Sequence, residues 1–262
     1  MSTDKICNNP FEHRKALKSA EAQLVLGLAE LQLKYLFHVL REKQETDFDR
    51  ALQGYTSIVT QMRTLPAFAA ENPDWQNTLQ TVKKLYAELS GSQNGTLFAR
   101  KALEILGPSL SRSALTPEPD YEWFGCFRYN YLEEQKHIAL HFRNACCPES
   151  PFAVPADRVR ELTLLIKDIQ NKGLSPQTVG CDSWLNELKI FQSFFPEEYV
   201  QSFTVSPPDS KSGYGWWGQF IGKNGCLNEA KVKVFERNME FPYRRLIARC
   251  PYDSFRRHIT RR

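Results

Sequence analysis

The stretch His137-Ile138-Ala139-Leu140-His141-Phe142-Arg143 decides the fold. Its apolar residues Ile138, Leu140 and Phe142 fall on every second position, the period of a strand with one face fit for a core. His137, Ala139, His141 and Arg143 share the opposite face. Two imidazoles and a guanidinium there point to a pocket rather than to a surface that only has to stay wet. Upstream, Glu122 to Tyr131 is aromatic and extended through Trp123, Phe124, Phe127, Tyr129 and Tyr131, which predicts a second strand. The polar turn Glu133-Glu134-Gln135-Lys136 joins the two into an antiparallel hairpin.

On the C-terminal side, Asp157 to Lys172 predicts a helix with Val159, Leu162, Leu165, Ile166 and Ile169 inward and Gly173 as its stop. Thr178 to Cys181 reads as a short strand, Trp184 to Phe195 as a helix ended by Pro196, and Phe203 to Val205 as a further strand. Ser206 to Gly215 is an excursion, Trp216 to Ile221 a strand, and Asn228 the cap of a last helix. On the N-terminal side the period changes to that of helices. Leu17, Leu24, Leu28, Leu31, Tyr35 and Val39 form one stripe within Phe11 to Glu45. Asp47 caps a second helix, which stops near Leu65 ahead of Pro66. Asn72-Pro73-Asp74 opens a third, and Thr96 to Leu106 makes a fourth that ends at Gly107-Pro108. The expected class is α+β: a helical bundle over 1–107, a Ser/Pro-rich linker over 108–120, and a mixed α/β domain over 121–262 with a twisted, largely antiparallel sheet.

Composition bounds the function. With 262 residues, 42% hydrophobic and 24% charged, the chain has the balance of a globular protein with a sizeable core. A net charge of +4 does not point to nucleic acid. Seven arginines follow Phe241 against the single acid Asp253, which reads as a solvated basic helix at the end of the chain. The seven cysteines have no framework spacing and no C-x-x-C, so free thiols in a cytoplasmic setting are expected. The first residues lack the apolar run of a signal peptide, and no apolar run approaches the roughly 18 residues that span a bilayer.

Four groups of residues carry candidate chemistry. At Gly180-Cys181-Asp182-Ser183-Trp184 a strand enters a helix. Free backbone N–H groups there would favour an anion and make Cys181 a reactive thiolate; alternatively Ser183 is only an N-cap and Cys181 a core residue. His141 is a candidate general base, with His137 and Arg143 orienting an anionic group. Pairing His141 with Cys181 requires their strands to be neighbours. Glu134, His137 and His141 would share a face on a helix and could then hold a metal, but the strand pattern does not favour that set. Gln219-Phe220-Ile221-Gly222-Lys223-Asn224-Gly225 begins like the pyrophosphate loop of acetyl-coenzyme-A-dependent N-acetyltransferases, with its final glycine one position late. Trp184, Asn186 and Trp217 complete the candidate ligand-lining set.

The order of these features, an aromatic strand, a strand opening His137-Ile138, then Cys181-x-Ser183-Trp184-Leu185, resembles a group of bacterial acyltransferases. In that group a helical N-terminal domain precedes a C-terminal domain related to the Gcn5-type N-acetyltransferase (GNAT) fold. The resemblance implies a coenzyme A or carrier-protein thioester as donor and a small amine as acceptor; the residue spacing favours no metal. An acyl-carrier protein would be one partner. The competing expectation is a non-catalytic ligand-binding or partner protein built on a degenerate version of that fold.

Overall fold

The computed structural model describes residues 10–43, 45–59, 72–92, 94–114, 121–207, 211 and 213–262. The chain separates into two compact units, Met1–Pro117 and Glu118–Arg262. Both α and β structure are present, the β structure in one five-stranded mixed sheet in the second unit.

The first unit is helical: α1 (Pro10–Glu42), α2 (Phe48–Tyr55), α3 (Pro73–Leu89) and α4 (Gly95–Ala114). Asp47 caps α2 by accepting from the N–H groups of Asp49 and Arg50, and Asn72 caps α3 through Asp74 and Trp75. Their core joins Leu33, Leu36, Phe37 and Leu40 of α1 to Ala99, Ala102, Leu106 and Leu110 of α4, with Phe48, Leu52, Trp75 and Val82 closing it. Burying each large apolar side chain is worth about 1.5–3 kcal/mol.

Two expectations fail here. α2 ends at Tyr55, because Thr56 turns extended and the buried Gln32 accepts from both the N–H and the hydroxyl of Ser57. The expected continuation past residue 59 lies outside the described residues. α4 runs through Pro108 to Ala114, so 108–114 is helix rather than linker. Proline removes one backbone bond, but Leu106 and Leu110 on either side are buried, and their packing carries the helix across.

In the second unit the sheet order is β1-β2-β3-β5-β4: β1 (Phe127–Leu132), β2 (His137–Phe142), β3 (Thr178–Ser183), β5 (Leu246–Pro251) and β4 (Thr204–Val205). β1 and β2 form the expected hairpin. The helix α5 (Pro155–Asn171) carries the chain over to β3, which lies parallel to β2, as a crossover helix requires. β3, β5 and β4 pair antiparallel. One sheet face packs on α5 and on α10 (Tyr252–Thr260) through Phe127, Ile138, Leu140, Val179, Cys181, Ala248 and Cys250. Phe191, Phe194, Phe195 and Tyr199 complete this core, Phe195 and Tyr199 stacking at 3.9 Å.

The region expected as helix Trp184 to Phe195 is a 3-10 turn (Trp184–Glu187) and a one-turn helix α6 (Lys189–Gln192), broken at Leu188, whose backbone is extended. A second one-turn helix, α7 (Glu197–Gln201), follows. Trp216 to Ile221 is not a strand: α8 (Tyr214–Trp217) passes into a 3-10 turn (Gly218–Phe220), which buries Trp217, Gln219 and Phe220 together. α9 (Glu229–Asn238) starts at Asn228 as expected. The basic end is not one solvated helix, since it supplies the interior strand β5 and then α10.

Candidate functional site

The face of the sheet away from that core carries the even-numbered residues of β1 and β3 and the odd-numbered residues of β2 and β5, by the register of the ladders. It therefore holds Arg128, Asn130, His137, Ala139, His141, Thr178, Gly180, Asp182 and Arg249. The parallel ladder joins His137–Ala139 to Thr178–Gly180 and ends there, although β2 runs on to Phe142 and β3 to Ser183.

The backbone groups beyond the last rung can be assigned. The N–H of Arg143 donates to the carbonyl of Cys126, so the odd positions of β2 face β1 and the even ones face β3. The N–H of Arg249 donates to the Ser202 hydroxyl, away from β3, so its partner Gly180 and the other even positions of β3 face β2. The Leu140 carbonyl, the Phe142 N–H and both the N–H and the carbonyl of Asp182 thus point into the gap past Ala139 and Gly180, and Gly215 of α8 lies close to the Asp182 carbonyl, 3.6 Å from where its Cβ would stand.

His141 stands on the β2 lip of this gap. Its Nε2 is enclosed and has no hydrogen-bond partner among the described residues. Burial, helped by the Arg128 guanidinium opposite it, pushes its pKa down to about 4, so the ring is neutral at neutral pH. Arg128 lies 4.1 Å over the Tyr121 ring and 5.4 Å from that of Trp123, while Arg143 covers Trp123 at 4.1 Å. Among the described residues neither guanidinium has a carboxylate partner.

His137 is different. Its Nδ1 is 2.8 Å from the Thr178 hydroxyl, and its ring lies over Gly180, where a Cβ would come within 3.0 Å of it. Burial, and then Arg249, lower its pKa. Four residue steps along the strand separate it from His141 by about 13 Å. The two cannot act on one atom, and Glu134 lies in the exposed turn. The Glu134–His137–His141 set does not converge, and no cluster of metal-ligating side chains occurs among the described residues.

Cys181 does not join His141. The strands are neighbours, but Cys181 faces the core, where burial pushes its thiol up to about 12. Ser183 caps the 3-10 turn by accepting from the Leu185 N–H. Asn186 is fully buried and donates to the carbonyls of Cys181 and Leu246 while accepting from the Tyr199 hydroxyl. The Trp217 indole donates to the Lys211 carbonyl. Gln219, also fully buried, bonds to Trp216 and Tyr243 and so pins two loops together. These are structural posts, not ligand contacts. The Gly222–Gly225 segment is a tight turn closing the short bridge Ile221–Leu227, and a 3-10 turn rather than a strand precedes it. Trp184 stacks on Tyr243 at 5.3 Å with the Lys231 ammonium over both rings.

Sequence reasoning missed Arg128, Trp123 and Tyr121. The hairpin turn was the available signal, because it sets Arg128 directly across from His141. Comparison with family models, with curated proteins and with solved structures returned no match.

Proposed function

We propose that the second unit transfers an acyl group from a coenzyme A or carrier-protein thioester to a small amine, using the gap between β2 and β3 in a GNAT-like arrangement. The observation that supports this reading is the set of backbone groups beyond the last parallel rung. The N–H donors of Phe142 and Asp182 and the carbonyl acceptors of Leu140 and Asp182, on facing strands, match the alternating amides of a pantetheine arm, which would lie there as an added strand. Arg128 and Arg143, without carboxylate partners among the described residues, offer charge to the donor's phosphates. The donor supplies an activated carbonyl carbon with a thiolate leaving group.

His141 is neutral, and its Nε2 has no partner among the described residues; once an entering ligand displaces the groups that enclose it, it accepts a hydrogen bond from the amine and orients the amine's lone pair toward that carbon. An imidazole at about 4 does not keep the proton; it hands it on to solvent. A backbone N–H of the gap polarises the carbonyl. The test is turnover of acyl-coenzyme A with a panel of amines, together with the thermal midpoint in the presence of coenzyme A. Turnover that His141→Gln lowers, with a raised midpoint in both proteins, supports the reading. No turnover and no shift in midpoint would refute it.

The second reading is a non-catalytic ligand-binding protein. The structural employment of His137, Cys181, Asn186, Trp217 and Gln219 favours it. A midpoint raised by coenzyme A without turnover on any amine would select it.

A further inference from the structure

Away from the gap, two thiols and a buried ion pair meet at the foot of the hairpin. Cys126 enters β1 and is wholly buried, whereas Cys146 lies partly exposed in the turn after β2. Their sulfurs are 3.8 Å apart. Arg158, 4% exposed in the first turns of α5, donates Nη1 to Cys146 Sγ at 3.0 Å and also to the Pro151 carbonyl. Its Nη2 meets Glu161 Oε1 at 2.6 Å, and Glu161 Oε2 accepts from the Cys126 N–H. Gly125 has φ +60, and a Cβ there would collide with the Glu161 carboxylate, so this close approach needs glycine. One ion pair therefore holds both thiol-bearing segments in place. Burial pushes the Cys126 thiol up to about 11 and keeps it protonated at neutral pH.

We propose that Cys146 and Cys126 form a reversible thiol–disulfide pair, Cys146 being the sulfur that meets a peroxide and Cys126 the one that resolves it. A guanidinium N–H aimed at the more accessible sulfur is the donor that charge on it would meet during attack. In the first step Cys146 sulfur, as thiolate, bonds to one peroxide oxygen. The O–O bond breaks, and the departing hydroxide takes a proton to become water, leaving a sulfenic acid. In the second step Cys126 sulfur bonds to Cys146 sulfur, the S–O bond breaks, and the hydroxyl leaves as water with the Cys126 proton. Two thiols and one hydrogen peroxide give one disulfide and two waters. The sulfurs lose two electrons and the peroxide oxygens gain them. The sulfurs must close from 3.8 Å to about 2.05 Å. Cys147 is exposed and faces Gly225, 3.3 Å from where a Cβ would stand, so it serves as the internal control.

The experiment treats the full chain with one equivalent of hydrogen peroxide, then maps peptides by mass spectrometry without reductant. The expected product is a Cys126–Cys146 cross-linked peptide that a dithiol reductant abolishes and that Cys147→Ser leaves intact. In Cys126→Ser, a sulfenic acid that reacts with dimedone should accumulate at Cys146. Should that variant fail to fold, the wild-type map still decides. Oxidation confined to Cys147 and Cys226, with Cys126 and Cys146 still reduced, would overturn the proposal.

Discussion

The two histidines of β2 occupy equivalent positions on one strand face and have different jobs. His137 sits where β2 and β3 are still laddered. Its ring is held by the Thr178 hydroxyl and packed over Gly180. His141 sits where the ladder has stopped, with Nε2 enclosed and without a partner among the described residues. The residue type and its face are the same in both cases. What separates a histidine whose ring nitrogen is bonded from one whose ring nitrogen is not is whether the neighbouring strand is still laddered beside it.

That contrast can be broken at its laddered end by Gly180→Ala. The new Cβ would lie 2.5 Å from the Ala248 carbonyl, a backbone atom that cannot swing aside. Overpacking of this kind should cost about 3 kcal/mol, read as a lower urea midpoint. At the parted end, His141→Gln should cut acyl transfer roughly a hundredfold, about 2.7 kcal/mol of barrier, while the urea midpoint stays put. His137→Gln sharpens the comparison from the other side. It should cost about 1 kcal/mol of stability through the lost Thr178 bond and leave turnover nearly unchanged.

A further expected effect is on pH. Folding holds His141 neutral, with its pKa lowered from 6.5 to about 4. The unfolded chain therefore binds more protons in that window. Stability present above pH 6.5 is lost as pH falls toward 4. The thermal midpoint of the wild type should fall more steeply over this range than that of His141→Gln. Parallel curves would show that the buried imidazole does not contribute.

The His137 strand and its hairpin partner were legible because Ile138, Leu140 and Phe142 alternate cleanly. Helix α5 was legible from its stripe and from Gly173, whose φ of +65 ends it. β5 was not. Leu246, Ala248 and Cys250 do alternate, but Ile247 fills an intervening position and the arginines on either side read as a solvated tail. Trp216, Trp217 and Phe220 misled because aromatic residues favour strands, whereas here they pack on one side of a short helical turn. Of the candidate site, His141 and Arg143 could be found from pattern alone. The roles of Asn186 and Gln219 could not, since a buried amide that ties loops together is set by tertiary partners that sequence does not display. Of the two readings open for Cys181, a reactive thiolate at a helix start or a core residue, the structure has the second.

The gap itself is tested most directly by amide hydrogen exchange, followed residue by residue with and without coenzyme A. If a pantetheine arm lies between the parted strands, exchange should slow at the Phe142 and Asp182 amides, with little change at Tyr129 and Tyr131, on the outer strand of the hairpin. Unchanged exchange at both gap amides under saturating coenzyme A would contradict the account.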